Sequence, residues 1–258
     1  MLLAAGPACA AGPSLVSIQT PRGAKQSFIL VSPSGKPTAS LILFAGGDGA
    51  LGLKTASSME WGAGNFLVRS RNLFAARGFV VAVIDAPSDH KNGMDAVFRM
   101  SGAHAGDIEA VASHLKKQFN APVWLVGTSM GTFSAAGGAI AARNIDGLVL
   151  TSTVTRTKSD WKIARSHRDG VASMALARVT APSLIVSHRH DGCDVTPAAD
   201  ASKLSGRLTK AGKVEVVLLD GGARPVSAPC EAKSQHGFLG IEGQAVDTIA
   251  KFVRATAK

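Results

Sequence analysis

Residues 121–131 read Ala-Pro-Val-Trp-Leu-Val-Gly-Thr-Ser-Met-Gly, and this stretch carries the strongest indication of the fold. Residues 122–126 form an apolar run typical of a buried strand, and an Ala-rich helix is predicted to follow as far as about Arg143. Between them stands a G-x-S-x-G pattern centred on Ser129. A serine at such a turn lies at a helix N-terminus, where N–H groups and the helix dipole favour negative charge. A Cβ two residues before or after the serine would clash with the neighbouring strand and helix.

Apolar runs and alternating segments predict eight strands in all. They span residues 14–20, 26–32, 40–45, 79–84, 122–126, 147–151, 183–187 and 214–219. Helical spacing recurs at 65–77, 108–119 and 246–253, and Thr196-Pro197 is typical of a helix start. Continuous apolar strands alternating with helices indicate a parallel sheet covered on both faces. We expect one α/β domain over 14–258, with a mostly parallel eight-stranded sheet flanked by helices and at most a small lid near 154–179.

Composition narrows the possible functions. Of the 258 residues, 46% are hydrophobic and 18% charged, which excludes a disordered chain or a coiled coil. The net charge is +10, but the Lys and Arg residues are scattered and aromatics are only 5%, so we expect no nucleic-acid partner. No apolar run reaches about 18 residues, so no membrane span is expected. The chain contains no tyrosine, which excludes any mechanism that needs a phenol.

Two further residues have the types and positions that an activated serine requires. A serine hydroxyl needs a base to take its proton. Among the seven histidines, His236 is the one between the last predicted strand and the last helix. Asp191 follows strand 183–187 and is the candidate to orient that histidine, with Asp194 as the alternative acid.

The order Ser129, Asp191, His236 resembles that of the α/β-hydrolase superfamily, of the serine esterase/lipase type. Segments 65–71 and 85–89 also resemble poorly characterised bacterial members. The resemblance implies a serine hydrolase that cleaves small-molecule carboxylic esters through an acyl-enzyme, without cofactor or metal. Thioester or peptide cleavage by the same residues stays open, as does the oligomeric state.

The resemblance also implies an oxyanion hole. In this superfamily one donor comes from the loop after the third strand, where residues 46–49 read Gly-Gly-Asp-Gly. This is similar to the family's His-Gly-Gly pattern without the leading histidine. The N–H of Gly47 is the first predicted donor, with Asp48 as its alternative, and the N–H of Met130 is the second.

Other functions remain as alternatives. Residues 47–52 form a G-x-G-x-x-G string after a strand, the pattern of a dinucleotide-binding loop. Gly62 and Gly64 interrupt the expected helix, and Asp85 lies 33 residues beyond Gly52 rather than about 20. A non-catalytic binding protein with the same fold is a further alternative. The histidines beside Asp191 have no additional cluster to complete a metal site.

The N-terminal residues and the cysteines indicate the cellular compartment of the protein. The small residues at positions 8–10 fit a signal-peptidase site, so we expect residues 1–13 to be a truncated signal peptide or a disordered N-terminus. A periplasmic or secreted protein is favoured, with the cytoplasm as the alternative. Cys193 and Cys230 lie beside the candidate acid and base, and we expect them to form a disulfide that ties the two loops together.

Overall fold

The computed structural model describes residues 12–257, so the expected leader lies outside the described residues except for its last two positions. The strands are β1 Ser14–Gln19, β2 Lys25–Val31, β3 Ala39–Phe44, β4 Phe79–Ile84, β5 Val123–Ser129, β6 Gly147–Thr153, β7 Ser183–His188 and β8 Val214–Leu219. The helices are α1 Phe66–Arg69, α2 Arg71–Ala76, α3 Ala96–Arg99, α4 Gly102–Phe119, α5 Gly131–Ala141, α6 Ala201–Ser205 and α7 Glu242–Thr256. Within this range, none of the helices combines the length and apolarity needed to cross a bilayer.

The eight strands form one sheet in the order β1-β2-β4-β3-β5-β6-β7-β8. β2 is antiparallel to both β1 and β4, and every other neighbouring pair is parallel. The prediction of a mostly parallel eight-stranded sheet is therefore confirmed. The parallel strands share one carboxyl edge, where the loops after β3, β5, β7 and β8 come together.

Helices cover both faces of the sheet, which is why the central strands are apolar without interruption. On one face, Ile42 and Phe44 of β3 pack in the same apolar cluster as Val111 of α4 and Phe133 of α5. On the other face, alternate residues of the same strands pack with α2 and α7, including Phe252. The core thus has two apolar layers, one on each face of the sheet. The carboxyl edge of the sheet lies between these layers and remains accessible.

The structure refines three local expectations. The helix expected over 65–77 is divided into α1 and α2 at the buried Ser70. The helix start expected at Thr196-Pro197 is displaced by one residue, because Pro197 is the N-cap of a 3₁₀ turn over Ala198–Asp200 that leads directly into α6 at Ala201. The expected lid region carries two isolated 3₁₀ turns, Gly170–Ser173 and Leu176–Arg178.

The turn at Ser129 brings three backbone segments into close contact. Ser129 has φ +53°, in the left-handed region that costs a side-chain-bearing residue energy. A Cβ on Gly127 would stand 2.5 Å from the carbonyl oxygen of Gly131. A Cβ on Gly131 would stand 2.1 Å from the carbonyl oxygen of Phe44 in β3. Both glycines are therefore needed for helix α5 to begin directly after β5.

We expect Gly131→Ala to destabilise the protein by about 1–3 kcal/mol or more, because its methyl group meets backbone that cannot rotate away. The matched control is Gly106→Ala in α4, where an added Cβ meets nothing within 4 Å. That change should stabilise by up to about 1 kcal/mol through helix propensity. Urea unfolding of both variants measures the difference, and equal midpoints would contradict the close approach of these backbone segments.

Candidate active site

The carboxyl edge of the sheet brings the candidate residues together. Ser129 ends β5, Asp191 lies three residues beyond β7, and His236 follows the loop after β8. Gly47 lies three residues beyond β3, the neighbour of β5 on the other side. Because these strands are parallel, residues separated by up to 189 positions in the chain meet at one edge.

The imidazole of His236 is buried and held at one of its two nitrogens. Nδ1 lies 3.0 Å from Oδ2 of Asp191 and 3.1 Å from Oγ1 of Thr196. The Thr196 hydroxyl donates to the same Oδ2 at 2.9 Å. The Nδ1–H is thus shared between the carboxylate and the hydroxyl, which leaves Nε2 unprotonated in the neutral ring. Nε2 has no hydrogen-bond partner among residues 12–257.

Asp191, rather than Asp194, is the carboxylate that contacts the histidine. Its side chain is 0% exposed, and Oδ1 accepts the N–H of Cys193 at 2.9 Å. Asp194 is exposed, and the side-chain hydrogen bonds of the His236 ring are to Asp191 and Thr196 instead. The buried carboxylate is therefore fixed by backbone, hydroxyl and imidazole together.

The loop that carries His236 is held from the other side as well. The Ser152 hydroxyl donates to the carbonyl oxygen of His236 at 2.7 Å. Arg69 donates to the carbonyl oxygen of Gly237 at 2.6 Å and pairs with Glu242 of α7 at 2.8 Å. The side chain of Arg69 thus stabilises the loop that carries His236.

The expected disulfide is present between Cys193 and Cys230, which are 37 residues apart. Cys193 follows Asp191 by two residues, and Cys230 precedes His236 by six. The bridge consequently joins the acid loop to the base loop. Among the described residues, the group of acid and thiol side chains near enough to share a metal ion is Cys193, Asp194 and Cys230, and its two sulfurs are already joined.

Ser129 and His236 border the same cavity of about 390 Å³. The residues that line this cavity besides these two are Gly46, Gly47, Trp61, Gly62, Gly64, Asn65, Phe66, Thr128, Ser227, Cys230, Glu231, Ala232, Lys233 and Gly237. A second cavity, of about 250 Å³, borders Met130 and is mostly apolar, with Val97, Trp161 and Ile163 in its walls. The segment expected to form a lid contributes two of these side chains.

The loop after β3 presents Gly47 to the first cavity. Gly47 has φ +59°, and a Cβ there would stand 2.5 Å from the indole of Trp61. Its carbonyl oxygen accepts from Arg99 at 3.1 Å, while its N–H, like that of Met130, has no acceptor among residues 12–257. Asp48 does not line the cavity, and its carbonyl oxygen accepts the N–H of Met94. Gly47 is therefore better placed than Asp48 to donate into the cavity.

Arg99 lies buried behind this loop and makes no ion pair with a described residue. Its guanidinium donates to the carbonyls of Gly47 and Met94 and to the Ser134 hydroxyl at 2.9 Å. Burial lowers the pKa of Arg99 to about 10, so it is charged at neutral pH. The same hydroxyl lies 3.0 Å from Nε2 of His104, whose pKa is lowered to about 3 by burial and by the charge of Arg99.

The contacts of Asp85 argue against the dinucleotide alternative. Its carboxylate accepts the N–H groups of Leu51, Gly52 and Leu53 at 2.7–3.2 Å. These loop donors would be needed to hold a pyrophosphate. Moreover, within residues 12–257 the first helix after the glycine string begins only at Phe66, so no helix continues directly from these glycines.

Two polar residues of the site were not singled out from the sequence. Thr196 carried the signal of a helix cap, yet its hydroxyl binds Asp191. For Asn65 the sequence offers only its place in segment 65–71, whereas the structure has it lining the cavity. Its position directly before a short apolar helix was the available sign of an N-cap, but nothing in the sequence indicated the cavity.

Comparison with solved structures shows the α/β-hydrolase fold. An esterase of Pyrococcus furiosus has TM-score 0.64 and 14% identity, covering 95% of this chain and 92% of that one. A cold-adapted esterase from an Arctic intertidal metagenomic library has TM-score 0.59 and 16% identity over 93% and 92%. A puromycin hydrolase has TM-score 0.62 and 13% identity over 95% of this chain and 39% of its own. No family model and no curated protein matches the sequence.

We expect the double variant Cys193→Ser/Cys230→Ser to lose about 3–4 kcal/mol of unfolding free energy, because the bridge closes a 37-residue separation. A reductant should lower the urea midpoint of the wild-type protein in the same direction and leave the variant unchanged. A wild-type midpoint that does not respond to the reductant would contradict the bridge.

Proposed function

We propose that the protein is a serine hydrolase that cleaves carboxylic esters of small molecules through Ser129, His236 and Asp191. The observation that carries the proposal is the hydrogen bond from Nδ1 of His236 to the buried Asp191, with Ser129 on the wall of the same cavity. This arrangement fixes the tautomer in which Nε2 can accept a proton. The α/β-hydrolase fold supports the proposal, since it is a fold on which such sites occur.

In the first half-reaction, the Ser129 oxygen attacks the ester carbonyl carbon while its proton passes to Nε2 of His236. The carbonyl oxygen becomes an oxyanion held by the N–H groups of Gly47 and Met130. The bond to the leaving alcohol then breaks, and the proton on Nε2 goes to the alcohol oxygen. An acyl group remains on Ser129.

In the second half-reaction, a water molecule attacks the acyl carbon and gives a proton to Nε2. The bond to Ser129 breaks, the proton returns to the serine oxygen, and the carboxylic acid leaves. Asp191 stabilises the imidazolium in both halves and remains ionised. Neither half requires a cofactor.

The size and lining of the cavities favour a small ester. The cavity at Ser129 holds about 390 Å³, within the range of small-molecule sites, and a second apolar space adjoins Met130. Thioester and peptide cleavage use the same steps and remain alternatives for the same residues. The disulfide is compatible with a periplasmic or secreted protein, which we propose as its location.

A fluorophosphonate probe tests the nucleophile. We expect covalent labelling at Ser129, located by peptide mapping, because the probe reacts with an activated serine beside an oxyanion hole. Ser129→Ala should abolish labelling and ester hydrolysis while unfolding like the wild-type protein. p-Nitrophenyl esters, acyl thioesters and peptide p-nitroanilides, compared by kcat/KM, then rank the three substrate classes. Absence of labelling in the folded wild-type protein would refute the proposal.

The neighbouring aspartates offer a matched test of the acid. We expect Asp191→Asn to lower kcat by about 10⁴-fold, because an amide favours the wrong tautomer of the imidazole. Asp194→Asn removes a nearby exposed carboxylate and should leave kcat within about twofold, the range of a surface change. Steady-state kinetics on one p-nitrophenyl ester measures both variants. Equal effects would reject Asp191 as the specific partner of His236.

A further inference from the structure

The side-chain oxygen of Asn65 is engaged in a hydrogen bond, whereas its side-chain nitrogen is not. It precedes α1, and its Oδ1 accepts the N–H of Leu67 at 3.1 Å as an N-cap. This contact identifies which end of the carboxamide carries the oxygen. The two N–H donors of Nδ2 consequently lie on the opposite side, and no described residue accepts a hydrogen bond from them.

Nδ2 of Asn65 and Cβ of Ser129 both lie close to one point beside Gly46. The point where a Cβ on Gly46 would stand is 3.0 Å from Cβ of Ser129 and 3.5 Å from Nδ2 of Asn65. Ser129, Asn65 and Gly47 line the same cavity. Gly46 has no side chain to occupy this point, and the carbonyl oxygen of Thr128 also lies 3.3 Å from it.

We propose that Asn65 is a catalytic residue whose carboxamide N–H donates to the carbonyl oxygen of the ester as it becomes an oxyanion. It adds a side-chain donor to the backbone N–H groups of Gly47 and Met130. The proposal rests on the proposed function. Because the N-cap hydrogen bond already fixes the carboxamide, the donor needs no reorganisation when charge develops, which is the condition for strong oxyanion stabilisation.

The two tasks of Asn65 can be separated by substitution. Asn65→Asp and Asn65→Ser both retain an oxygen able to cap α1. Neither retains the N–H donors, and the aspartate adds a negative charge near the oxyanion. Asn65→Ala removes the cap as well as the donors, so it reports the structural contribution.

We expect Asn65→Ser to lower kcat by about 10²–10³-fold with KM changed only a few fold, and Asn65→Asp to lower it at least as much. Their thermal midpoints should stay near that of the wild-type protein, whereas the thermal midpoint of Asn65→Ala should fall, because that variant has lost the N-cap. Affinity for a phenylboronic acid, whose tetrahedral adduct carries an oxyanion, should fall in parallel with kcat/KM. Binding of the carboxylate product should change little.

The outcomes distinguish this inference from the proposed function. If the wild-type protein labels at Ser129 and Asn65→Ser retains wild-type kcat, the catalytic role of Asn65 is wrong and the serine hydrolase stands. A rise in KM without a fall in kcat also overturns it, since the donor would then bind ground state and transition state alike. If the wild-type protein neither labels nor hydrolyses any substrate class, both proposals fail.

Discussion

The close approach of three backbone segments at Ser129 is the constraint on which the rest of the site depends. Helix α5 can begin directly after β5 because Gly127 and Gly131 have no Cβ to meet the helix and β3. That contact places the left-handed serine at the edge of the sheet. It also fixes β3 against the start of α5, and so sets where the loop containing Gly46 and Gly47 emerges. The same backbone contact therefore determines the position of the serine and the position of the neighbouring N–H donors.

His236 is positioned in a different way, by side-chain contacts rather than by a close approach of backbone segments. The carboxylate of Asp191 is saturated by donors from its own loop and from His236. The disulfide joins that loop to the one before His236, and Arg69 holds the residue after it. A mobile imidazole would spend little time oriented toward Asp191, so each of these contacts reduces the entropy that such an orientation costs.

The sequence predicts the sheet well, because buried parallel strands have to be apolar on both faces. Residues 79–84 and 214–219 were placed without error for this reason. It also indicates Ser129, Asp191 and His236, since each follows a strand at the shared edge, although their catalytic roles remain proposals. Thr196 and Asn65 could not be found in this way. Their partners are fixed by side-chain rotamers and loop geometry, which leave no periodic trace in the chain.

Arg99 and His104 have a consequence for how the protein responds to acidity. The lowered pKa values of both groups leave the arginine protonated and the imidazole neutral over a wide span around neutrality. The interior behind the Gly47 loop thus holds one positive charge that forms no ion pair with a described residue, although the charges of Asp48 and Asp95 act on it from nearby. Its electric field on the cavity is the same in mildly acidic and mildly alkaline surroundings. If the proposed activity changes with pH across that span, groups other than this pair are responsible.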